Sequence, residues 1–121
     1  MKYLLPFVLL TSLLCPVVRG QGPAVSGNET KVRAVLSNLN QIYPHDWRFV
    51  ILEEKAWNSV HNKSTEIAFT VRALRTTYIR ESFLTTSTIP ELRHVMLHEA
   101  GHIACACENE HTAELFAQLR Q

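Results

Sequence analysis

The stretch "STIPELRHVMLHEAGHIACAC", Ser87 to Cys107, is the best-marked helix of the 121-residue chain, and the rest is arranged around it. Thr88 and Glu91 have the spacing of a capping box, in which a hydroxyl accepts from an amide three residues on and a carboxylate reaches back. Pro90 falls in the first turn, where its missing donor costs nothing. Downstream, "ENE" (Glu108 to Glu110) breaks the pattern, and "HTAELFAQLRQ" (His111 to Gln121) is again helical. Upstream, "EIAFTV" (Glu66 to Val71) and "TTYIRESFL" (Thr76 to Leu84) read as strands with a short turn around Ala73 to Arg75. "DWRFVIL" (Asp46 to Leu52) is a further strand, while "EEKAWNSVHNKST" (Glu53 to Thr65) is polar and ambiguous, with Trp57 and Val60 expected to dip into the core. Before these, "ETKVRAVLSNLNQIYP" sets Val32, Val35, Leu36, Leu39 and Ile42 on one helical face, and Pro44 ends it. The expected class is α+β. An antiparallel sheet packs on the N-terminal helix and on the Ser87–Cys107 helix, and a C-terminal helix follows.

Within the marked helix stands "HEAGH", His98 to His102. Two histidines four positions apart share one helix face, about 6 Å apart along the axis, close enough to grip one ion. Glu99 follows the first histidine, about 100° round the helix. From there its carboxylate reaches a water at the ion's open position without binding the ion, and can act as general base. A catalytic zinc wants three protein ligands and one open site. The pattern is that of zinc peptidases. His98 and His102 are therefore expected metal ligands, Glu99 the catalytic base and Zn2+ the cofactor.

The third ligand decides the class. No glycine follows Gly101 before His111, so the extended pattern with a third histidine at fixed offsets is absent; His111 stays open as a ligand. Cys105 lies about 10 Å along the axis from His98, too far to share an ion with it. Cys105 and Cys107 read as structural, pinning the turn between the last two helices. "HEAGH…EHTAELFA" resembles the small gluzincin-type zinc metallopeptidases, the ImmA/IrrE-like and minigluzincin enzymes, in which a second helix carries Glu-x-x-Ala followed by an acidic or amide residue. That resemblance implies a zincin-like fold, with Glu110 as third ligand and Glu114 as the acid that steadies a ligand histidine. It covers roughly residues 66 to 117, and "EIAFTVRALRTTYIRESFL" resembles the strand pair before the active-site helix. Only seven residues separate His102 from Glu110, and a tight helix pair could instead bring Glu114 level with His102.

The N-terminus has a different character. "MKYLLPFVLLTSLLCPVVRGQG" has a basic start at Lys2, an apolar run from Leu4 to Val18 and small residues at Val18 and Gly20. Residues 1–20 read as a signal peptide cut before Gln21, the apolar run being short against the ~20 residues of a bilayer span. Residues 21–121 then form a single domain, secreted or periplasmic, without stable membrane insertion. Its charge is balanced, because the 12 Lys and Arg less Lys2 and Arg19 leave 10 against 11 Asp and Glu. No basic block points to nucleic acid. Asn28 and Asn62 begin Asn-x-Ser/Thr sequons.

The function these residues imply is hydrolysis of peptide bonds in a peptide or protein substrate, with "TTYIRES" as the strand against which an extended substrate lies. The alternative is a secreted zinc-binding pseudo-enzyme or interaction module without turnover. Glu99, which a purely structural site does not need, argues against it. The lack of a further subdomain to wall the cleft argues for it.

Overall fold

The computed structural model describes residues 24–26, 29–39, 42–61 and 65–121. The leader at 1–20, its cleavage point and the two sequon asparagines lie outside the described residues. The chain runs through β1 (Ala24–Ser26), α1 (Thr30–Leu39), β2 (Arg48–Leu52), α2 (Glu54–Val60), β3 (Ala68–Val71), a 3-10 turn (Arg72–Leu74), β4 (Thr76–Arg80), α3 (Glu81–Thr86), α4 (Ile89–Cys105) and α5 (Glu110–Leu119). It is a mixed α and β fold, as the patterning implied.

The sheet differs from the expected antiparallel one. Its order is β1-β2-β4-β3, with β1 parallel to β2, β2 parallel to β4, and only β3 antiparallel to β4. The segment that read as ambiguous, "EKAWNSV", is a helix, α2, between β2 and β3; β3 takes the outer position, and the chain reverses after it so that β4 lies between them, parallel to β2. β3 and β4 form a hairpin closed by Arg75 in the left-handed region (φ 51°). This conformation costs a non-glycine residue roughly 1–2 kcal/mol. The Arg75 guanidinium also grips Asp46 with two hydrogen bonds of 2.7 Å.

Three further differences follow. β4 ends at Arg80, and "ESFLTT" turns into the short helix α3 where one longer strand was expected. β4 is interior to the sheet, so among the described strands the edges are β1 and β3, not "TTYIRES". Val60 is 60% exposed, whereas Trp57 on the same helix is fully buried.

One core joins the layers. Val32, Val35, Leu36 and Leu39 of α1 meet Leu92, Met96, Leu97 and Ala100 of α4, with Trp47, Phe49 and Ile79 from the sheet side. Each fully buried aliphatic or aromatic side chain contributes about 1.5–3 kcal/mol over leaving it exposed. Lys31 ties α1 to the end of α3 by donating to the carbonyls of Leu84 (2.7 Å) and Ser87 (2.6 Å). The capping box at Thr88 and Glu91 is formed in both directions. It sets the start of α4, and hence which face its histidines present. Among the described residues, no helix is long and apolar enough to cross a membrane.

Candidate metal centre

α4 and α5 are antiparallel neighbours in unusually close approach, and Gly101 permits it. A Cβ on Gly101 would stand 2.8 Å from Ala113 Cα, 2.9 Å from its carbonyl oxygen and 3.0 Å from Phe116 Cβ. The small residue inside "HEAGH" thus lets the last helix lie against the histidine-bearing one. Asn109 caps α5 by accepting from the Thr112 amide at 2.8 Å, so Glu110 stands in the first turn, beside the histidines.

His98, Glu99 and His102 form a group that could hold a metal ion, with ligand atoms all within 4.8 Å of one another. Each imidazole is held from behind. His98 Nδ1 lies 2.9 Å from Glu114 Oε1, and His102 Nδ1 lies 3.0 Å from the Cys107 carbonyl oxygen. A carbonyl only accepts, so His102 carries a proton on Nδ1 and turns Nε2 to the cleft. Both Nε2 atoms face Glu110: its carboxylate is 2.7 Å from His98 and 3.4 Å from His102. The Glu110 side chain is 74% exposed, whereas His102 and Glu99 are each 6% exposed. Glu114 spans two histidines, its second oxygen lying 2.8 Å from His94 Nε2. It is not level with His102. His111, at the start of α5, is exposed.

One oxygen of Glu99, in the same group, is held by the sheet. Thr70 donates its hydroxyl to Glu99 Oε1 at 2.8 Å, and Thr70 and Thr77 hydroxyl oxygens are 2.8 Å apart across the β3–β4 pair. Trp47 Nε1 donates to Thr77 at 2.9 Å. A hydroxyl has one proton, and that of Thr70 is spent on Glu99, so Thr77 donates to Thr70. The result is a one-directional chain from Trp47 through two threonines to a buried carboxylate.

The electrostatics separate the carboxylates. Burial raises the Glu99 pKa above the ordinary carboxylate value, although the Thr70 hydrogen bond and the nearby His102 and His98 oppose it. Burial also disfavours charge on Glu110, but its bond to His98 and the field of both histidines outweigh that and lower its pKa. Glu114 is lowered chiefly by its bond to His98. Burial works against the charge on His98, but Glu114, Glu110 and Glu99 together raise its pKa. Glu110 and Glu114 are thus shifted down and Glu99, in the same group, is shifted up.

A cleft of about 560 Å³ opens above these groups. One wall is β3 and the residues before it; the other is the His94, Val95, His98 and His102 face of α4. At the outer end of the first wall His61 stacks on Phe69 with centroids 4.4 Å apart.

The motif pointed to His98, Glu99 and His102 and the family resemblance to Glu110 and Glu114, and all five lie in one neighbourhood. Thr70, Thr77, Trp47 and Gly101 had no motif to mark them. Only the alternation along "EIAFTV", which sets Thr70 and Ala68 on one face, hinted at Thr70. Cys105 and Cys107 are joined in a disulfide at the end of α4. The chain matches no protein-family model, no curated protein and no solved structure.

Proposed function

We propose that the chain is a secreted zinc-dependent metallopeptidase of zincin-like fold. One observation carries this reading. Two imidazoles with their Nδ1 atoms engaged present Nε2 to a shared carboxylate, and a second, buried carboxylate, Glu99, stands within 4.8 Å of them with one oxygen held by Thr70. The donor set fits zinc, which takes imidazole nitrogen and carboxylate oxygen in catalytic sites and leaves one position open. His98, His102 and Glu110 would hold it, with Glu114 and the Cys107 carbonyl orienting the rings. Zinc in such a site acts as a Lewis acid toward water and a carbonyl oxygen.

The chain's own residues do the rest. Glu99 accepts a proton from water and returns it to the departing amine. Burial raises its pKa from the ordinary carboxylate value, which favours return of the proton it takes. Thr70 holds one Glu99 oxygen, leaving the other for water. The edge of β3 offers backbone donors and acceptors to an extended peptide, and residues of β3 line the cleft. Export is supported by the leader-like sequence of residues 1–20.

The test is cleavage of a mixed peptide library by the zinc-loaded protein, read by mass spectrometry, with and without a chelator. Chelator-sensitive cleavage that Glu99→Gln abolishes supports the proposal. Zinc uptake with no cleavage would favour the non-hydrolytic zinc module instead.

A further inference from the structure

We infer that the Cys105–Cys107 disulfide is a positioning element for His102, coupling the redox state of the turn after α4 to the aim of one imidazole. This rests on the metal-binding reading above for its consequence, but not for its geometry.

The two candidate ligand histidines are held differently. His98 leans on a side chain, Glu114. His102 leans on a backbone carbonyl, that of Cys107, five residues on. A carbonyl has no side chain of its own to anchor it, and its place depends on the conformation of the turn. That turn is unfavourable on local grounds: Ala106 sits in the left-handed region (φ 53°), which favours glycine. Its amide reaches back to the carbonyls of His102 and Ile103, and the Cys107 amide reaches His102 at 3.3 Å. The disulfide bridges the residues on either side of Ala106. It closes the turn around the one residue least suited to it. Through Cys107 it holds the acceptor for His102 Nδ1, so that Nε2 stays turned to the cleft.

Reduction by a dithiol breaks the S–S bond. Two electrons and two protons pass to the sulfurs, giving two thiols, and the reductant becomes its own disulfide. The turn then loses its closure, and the Cys107 carbonyl loses its fixed place. His102 becomes free to exchange tautomers. Loss of such an orienting partner typically weakens metal binding ~10–100-fold.

The experiment is nitrogen-15 NMR of the imidazoles in the full-length, metal-free protein, oxidised and after treatment with dithiothreitol, at a pH above the ordinary histidine range. Zinc affinity is measured on the same samples. Expected is a His102 locked with its proton on Nδ1 when oxidised and a tautomer mixture when reduced, with His98 nitrogens unchanged and zinc affinity ~10-fold or more lower. The double variant Cys105→Ser, Cys107→Ser should match the reduced protein and no longer respond to dithiothreitol. An unchanged His102 on reduction would overturn the inference. So would equal changes at His98 and His102, since the crosslink would then support the helix as a whole. A tautomer change without zinc uptake in either state would refute the metal-binding reading and leave the positioning role intact.

Discussion

Thr70 on the edge strand donates its hydroxyl to Glu99 on the long helix at 2.8 Å, and this single bond joins the sheet to the reactive face of the cleft. It opposes the effect of burial, which raises the Glu99 pKa. Thr70→Val keeps the shape and removes the donor. The Glu99 pKa should rise further, moving the acidic limb of the pH–rate profile to higher pH. Zinc affinity should stay within a few-fold of wild type. A profile unmoved by Thr70→Val would mean that Glu99 is not the titrating base.

The two glutamates of α5 should fail differently. Glu110 faces Nε2 of both imidazoles, whereas Glu114 faces Nδ1 of His98 and the ring of His94. Glu110→Gln should weaken zinc most severely. Glu114→Gln should cost ~10–100-fold, as for other partners that orient a ligand. Glu99→Gln should bind zinc near normally and hydrolyse nothing. Titration of the three variants with a competing chromogenic chelator orders them; loss of metal in Glu114→Gln with retention in Glu110→Gln would reverse the assignment.

Gly101→Ala tests the helix approach. The added methyl would meet backbone at 2.8 Å, and backbone cannot step aside without moving α5. Overpacking of this kind costs about 1–3 kcal/mol. Denaturant unfolding should show that loss, and zinc affinity should fall with it because Glu110 and Glu114 ride on the displaced helix. Unchanged stability would mean the helices are further apart than described.

Acid stability has an identifiable contributor away from the cleft. Glu54 on α2 accepts from Arg80 and Ser82, and its pKa drops from 4.5 to about 2. A lowered folded-state pKa stabilises above the unfolded value, and the contribution is lost as pH falls from 4.5 toward about 2. Glu54 is exposed and Arg80 largely covered, so salt should screen the pair in part. Acid unfolding of Glu54→Gln should show a shallower dependence over that window than wild type, and the difference should shrink in high salt. Parallel curves at low salt would discount the pair.

What could be read from the sequence was local. The capping box, Pro90 and the histidine spacing all lie within a few turns of one helix, and they placed α4 and its face without reference to the rest. The burial of Val32, Val35, Leu36 and Leu39 followed from helical period alone. Strand direction did not, because the parallel pairing of β2 with β4 depends on β3 taking the outer position after α2, a helix whose polar sequence has no strong period. The "ESFLTT" segment continues the alternation of β4 and looks like more strand; its turn into α3 follows from packing. Thr70 and Thr77 meet because β3 and β4 pair in that register. No single-segment pattern encodes the proton-ordered chain that ends at Glu99.

The most direct test of the central claim is zinc content. The purified protein is reconstituted with zinc, dialysed, and measured by elemental mass spectrometry beside His98→Ala. One zinc per chain in the wild type and a large loss in the variant is the expected result. A wild type that retains no zinc, or a His98→Ala variant that retains as much, would contradict it.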